Sequence, residues 1–162
     1  LPDPAGRPTI AARILAGRVR AGFVAGGPMP RAVVAGVAYF AAVFAAGVVL
    51  GILRNTVVAP ATGRLAAVAI ELPLILSVSA AACAVLVRRL AVPAAPAPRL
   101  VMGAVAFALL MAAELALSVF LVGRSPAAHL ALYGRADQLL GLAGQIVFAL
   151  MPLALLSLRP AR

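Results

Sequence analysis

Lysine and tryptophan are absent from this 162-residue chain, and acidic residues number only four. Cysteine and histidine occur once each, as Cys83 and His129. A single cysteine excludes an intrachain disulfide and a thiolate metal cluster. A zinc or haem site would have to combine that cysteine, that histidine and four scattered carboxylates, so neither metal nor cofactor is expected. No Gly-rich phosphate loop follows a strand, and no HExxH zinc motif is present. An intramembrane serine hydrolase would need His129 to reach a serine from a loop, and a non-enzymatic protein is expected instead. Cys83 sits inside an apolar run and reads as a small buried hydrophobe.

Charge is scarce too. Charged residues make up 11% of the chain and hydrophobic ones 65%, with a mean hydropathy of +1.13. Soluble domains run nearer about 25% charged and about 45–50% apolar. A soluble fold of this length could not bury so much apolar surface, so lipid must be part of the solvent. All 14 basic residues are arginine, and the net charge is +10. In a soluble protein that charge would suggest nucleic acid. Here the arginines flank apolar runs without interleaved aromatics, and they read as topology signals and headgroup anchors. The partner is a lipid bilayer, not nucleic acid. Heavy use of Ala, Arg, Gly and Pro is the habit of a GC-rich bacterial genome, an association that points to a bacterial inner membrane.

Four stretches approach the ~20 apolar residues that cross about 30 Å of hydrocarbon. They cover residues 32–53, 65–87, 100–122 and 138–158. The fold class expected is therefore all-α, an integral membrane bundle of four transmembrane helices over residues 32–158. Residues 54–64 (RNTVVAPATGR) read as a break between spans, and 88–99 (RRLAVPAAPAPR) as an extended turn. The third connection differs. Ser125-Pro126 has the N-cap and proline order that opens a helix, and Gly134 can close it. Leu130, Leu132 and Tyr133 would lay this short helix at the headgroup level.

Residues 1–31 are rich in Arg, Pro and Gly and show no apolar face, so they are expected to be a disordered cytoplasmic segment or the product of a misassigned start. Met29 stands just before the first span as the alternative start. A cleaved signal peptide is not expected, because the first apolar run is long and lacks a small-residue cleavage pattern. Orientation follows the arginines. Ten (7, 13, 18, 20, 31, 88, 89, 99, 159 and 162) fall on the side of the termini, and Arg54, Arg64, Arg124 and Arg135 on the other. Both termini, including the tail 159–162, are expected in the cytoplasm.

Glu71 and Glu114 carry the most information. A charged side chain at a span centre costs roughly 2.5–3.5 kcal/mol on insertion scales, so it normally faces a partner or a cavity. Glu71, Glu114 and Gln145 all fall roughly 9–12 Å below the same boundary at 1.5 Å per residue. Gly47, Gly51 and Arg54 share one face of the first helix. The GxxxG pair would let a neighbouring helix approach, bringing Arg54 to a carboxylate. Arg54, Glu71, Glu114 and Gln145 thus form an expected intramembrane polar layer. As a buried ion-pair network it would fix helix register. As a proton or cation site it would change protonation during transport. Ser77, Ser79, Ser118 and Ser157 are expected to bond their own helix carbonyls.

Tyr39–Pro60 (YFAAVFAAGVVLGILRNTVVAP), Glu71–Pro73 (ELP), Ala112–Leu115 (AAEL) and Phe148–Leu153 (FALMPL) resemble a family of small four-helix bacterial inner-membrane proteins of uncharacterised function. The resemblance covers about residues 36–155. It implies the four-helix architecture and marks Arg54, Glu71 and Glu114, but it implies no activity. In the third loop this chain has YGRADQ (Tyr133–Gln138), where related chains often carry an acidic residue and a proline after the Leu-Tyr stretch. The leading expectation is a non-enzymatic structural or accessory membrane component, with a membrane-protein partner or a second copy of itself as candidate associates. The alternative is a proton- or cation-coupled transport or permeation protein using Glu71 and Glu114, which at this size would usually dimerise.

Overall fold

The computed structural model describes residues 27–157, so the expected N-terminal segment and C-terminal tail lie almost wholly outside the described residues. Every regular element among those residues is helical. Four helices are long and apolar enough to cross a membrane: α1 (Pro28–Thr62), α2 (Arg64–Arg89), α3 (Pro96–Leu121) and α5 (Ala136–Ser157). A short helix, α4 (Pro126–Ala131), joins α3 to α5.

The starts and stops follow local chemistry. Proline occupies the first turn of α1, α3 and α4, where its missing N–H is no loss. Ser125 caps α4, its side chain accepting from the Ala128 amide at 3.1 Å. The break expected within residues 54–64 falls at Gly63 alone, not directly after Leu53. The chain instead continues through a π-helical turn, Arg54–Val58, and stops only at Gly63, whose φ of +84° suits glycine. The Asn55 and Thr56 side chains donate to the Gly51 and Ile52 carbonyls at 2.8 Å, and this helps the widened turn persist. A second π-helical turn, Leu117–Leu121, ends α3.

The α2–α3 connection is also shorter than expected, spanning residues 90–95. It opens with a Schellman-type reversal in which the Val92 amide donates to Val87 O at 3.0 Å. Ala91 takes the left-handed position there, with φ at 48°. Arg99 closes the turn. Only 1% exposed, it donates through Nε to Pro93 O at 3.1 Å and through Nη2 to Val92 O at 3.4 Å. An arginine read from the sequence as a topology signal is thus a structural staple.

Helix α1 packs on α2 and α3, and α5 packs on the same two, so the four form a ring with α1 and α5 across one diagonal. Tyr39 spans that diagonal. It stacks on Phe148 at 4.4 Å and donates to the Phe148 carbonyl at 3.2 Å. The connected core gathers at the end where α1 starts and α5 finishes, with Ala32, Ala35, Cys83, Val87, Met102 and Ala106 around that stack. Cys83 is fully buried there.

The close helix contacts do not fall on Gly47 and Gly51, contrary to the expected GxxxG contact. A Cβ at Gly51 would meet nothing within 4 Å, and one at Gly47 only Ile75 Cδ1 at 4.0 Å. The tight sites are elsewhere. A Cβ at Gly36 would lie 2.7 Å from the Met102 carbonyl, and one at Gly103 would collide with the Ala149 carbonyl. Gly144 similarly admits the Leu72 side chain. Gly47 and Gly51 leave space, and that space belongs to the site.

Candidate functional site: a two-chamber cavity at the α4 end

All four long helices contribute to a half-open cleft of about 600 Å³ that starts at the edge of the packed core, at Phe148, and extends toward the other end of the bundle. Its walls are mostly apolar, with Phe44 and Gly47 of α1, Leu72 and Ile75 of α2, Leu110 of α3 and Phe148 of α5. Above it, under α4, lies a second chamber of about 500 Å³ with a far more polar lining. Arg54, Glu114 and Gln145 line both, so the chambers share a polar wall.

That wall is the layer expected from the sequence, now resolved into two pairs. Arg54 Nη1 of α1 lies 3.1 Å from Glu71 Oε2 of α2. Glu71 Oε2 makes no aligned hydrogen bond, so the contact is an ion pair in distance rather than a directed bond. Gln145 Nε2 of α5 donates to Glu114 Oε1 of α3 at 2.5 Å. Each pair ties two neighbours of the ring, α1 to α2 and α3 to α5. Glu114 therefore has a neutral hydrogen-bond partner, and Glu71 a charged one.

Sequence reasoning missed several members of the upper chamber. Arg64, Arg124 and Arg135 line it together with Arg54. Arg135 is taken up by Asp137, with Nε to Oδ1 at 3.0 Å and Nη2 to Oδ2 at 3.3 Å. Ser118 and His129 also face it, 5% and 7% exposed, and neither Ser118 Oγ nor His129 Nδ1 has a hydrogen-bond partner. Ser77, Ser79 and Ser157 do bond carbonyls of their own helices at 2.7 Å, which makes Ser118 the exception among the four serines considered. One signal was available in the sequence: Ser118 follows Glu114 by four residues and shares its helix face. His129 gave none, because only the fold of α4 back over the bundle carries it inward.

The two π-helical turns flank this wall, one beginning at Arg54 and the other three residues after Glu114. Such turns recur at functional sites because they re-aim side chains within an otherwise regular helix. No family model matches the chain, and neither the curated proteins nor the solved structures offer a match, so the resemblance above rests on the quoted segments alone.

Proposed function

We propose that the chain is a small, non-enzymatic, multi-pass component of a bacterial inner membrane, held in register by its polar layer and acting as an accessory or assembly protein. The observation that carries this reading is the pairing itself: Arg54–Glu71 and Gln145–Glu114 each join two helices of the ring. Exposed apolar side chains along the long helices, such as Val49, Ile52, Leu74 and Leu150, support a bilayer around the bundle. Candidate associates are another membrane protein or a second copy of the chain.

Cation transport is the weaker reading on electrostatic grounds. A cation entering the upper chamber would pass Arg54, Arg64, Arg124 and Arg135, an arrangement that repels positive charge. A proton site has one specific observation in its favour, because Glu114 is hydrogen-bonded by a neutral partner and has no ion pair of its own. Reconstituted in liposomes, the protein should add no proton or potassium flux to that of empty vesicles. A proton flux abolished by Glu114→Gln, in a variant that melts like the parent, would replace the structural reading with transport.

Orientation is a separate proposal. Among the described residues the arginines divide evenly, with Arg31, Arg88, Arg89 and Arg99 at one end and Arg54, Arg64, Arg124 and Arg135 at the other. The bias toward cytoplasmic termini therefore rests on arginines 7, 13, 18, 20, 159 and 162. Ala127 is exposed on α4, and Cys83 is fully buried, so an Ala127→Cys variant offers one accessible thiol. A membrane-impermeant maleimide should label it from the periplasm in intact cells. Labelling only after the inner membrane is permeabilised would invert the topology.

A further inference from the structure

The two chambers differ in chemistry yet share a wall. The lower cleft is apolar and lies within the long apolar helices. The upper chamber is polar and lies at their ends, where α2 begins at Arg64 and α4 crosses over. Of its four arginines, Arg54 is matched by Glu71 and Arg135 by Asp137. Arg64 and Arg124 make no ion pair among the described residues. Ser118 and His129, both more than nine-tenths buried, line the same chamber, and Ser118 Oγ and His129 Nδ1 have no hydrogen-bond partner. Buried polar groups are nearly always satisfied, so two such groups beside one cavity leave hydrogen bonds that an occupant can supply.

We propose that the cavity binds an anionic membrane lipid, its phosphate in the upper chamber against Arg64, Arg124, Ser118 and His129, and an acyl chain in the cleft below. This goes beyond the accessory reading and rests only on its membrane placement. Guanidinium groups suit phosphate because their forked donors match its oxygens. The hydroxyl of Ser118 donates to the same group, as does His129 in the tautomer protonated on Nδ1. Each chamber falls within the roughly 300–1,000 Å³ of ordinary ligand sites. A free phosphate would use the upper chamber and leave the apolar cleft without a function. A lipid uses both.

The test uses the full chain in a mild detergent, titrated with phosphatidylglycerol, phosphatidylcholine or inorganic phosphate and read by native mass spectrometry. One phosphatidylglycerol should bind in preference to phosphatidylcholine. The double variant R64Q/R124Q changes two exposed side chains and should weaken phosphatidylglycerol about 10–30-fold, the scale of two arginines on an anionic headgroup, while leaving phosphatidylcholine unchanged. Gly51→Leu should fill the cleft, since a Cβ there meets nothing within 4 Å, and should weaken the lipid without touching phosphate. If R64Q/R124Q fails to fold, Ser118→Ala supplies the headgroup arm and should still selectively weaken phosphatidylglycerol. Equal binding of the two lipids, or a preference indifferent to the headgroup variants, overturns the proposal. Competition by phosphate alone with no effect of Gly51→Leu would mean a free-anion site and also overturn it. A chain that stays in solution without detergent would instead sink the membrane placement, a failure distinguishable from these.

Discussion

Gly103→Ala should lower the melting temperature of the detergent-solubilised protein far more than the same methyl added at Gly51 or Gly141. At Gly103 the new Cβ would collide with the Ala149 carbonyl oxygen, which is backbone and cannot rotate away. Helices α3 and α5 would have to separate at the packed end of the bundle, beside Met102 and Ala106. Overpacking a close-fitted interior costs about 1–3 kcal/mol and occasionally more, and a backbone clash belongs at the upper end. At Gly51 and Gly141 an added Cβ meets nothing within 4 Å. Those two substitutions should be neutral, or slightly stabilising through the better helix propensity of alanine. Thermal melts of the three variants decide the matter. Equal melting points would mean that α3 and α5 do not touch at Gly103.

The second large effect concerns the Arg54–Glu71 pair. Arg54→Leu leaves the Glu71 carboxylate, whose side chain is 15% exposed, without its counter-charge. Removing one partner of a buried pair costs about 3–5 kcal/mol, whereas replacing both with apolar residues can be nearly neutral. The Arg54 side chain is 32% exposed, so the loss here should be about 2–3 kcal/mol. Glu71→Leu alone should cost less, because a stranded arginine on a long stem can turn its head toward water. The double variant R54L/E71L should recover much of the stability lost in R54L. R54L/E114L should not, since Glu114 is held by Gln145. Folded yield by size-exclusion chromatography and melting temperature together close this cycle. Rescue by the Glu114 substitution instead would show that Arg54 serves the other carboxylate.

The depth of the polar layer was legible in the sequence because a 1.5 Å rise turns residue count directly into height. Glu71, Glu114 and Gln145 could therefore be set at one level before any contact was known. Which carboxylate Arg54 would meet was not legible, since that depends on which helices are neighbours. The ring order makes α1 adjacent to both α2 and α3, so height alone left the choice open. The glycines misled for a related reason. A GxxxG pair in an alanine-rich helix marks a face where close approach is feasible, and here the close approaches fell at Gly36 and Gly103 while Gly47 and Gly51 lined a cleft.

From the sequence alone came the all-helical class, the four apolar helices, the capped short helix after Ser125 and the level of the polar groups. These follow from composition, run length and local capping, which act between residues close in the chain. Only the tertiary structure decided that α1 runs on through a π-helical turn to Thr62, and that Arg99 staples a loop. It alone decided that the apolar cleft and the arginine chamber meet at one wall, with Ser118 and His129 lining the chamber. These are relations between elements whose relative rotation is set by packing, and a one-dimensional pattern fixes height along a helix but not its angle toward a neighbour.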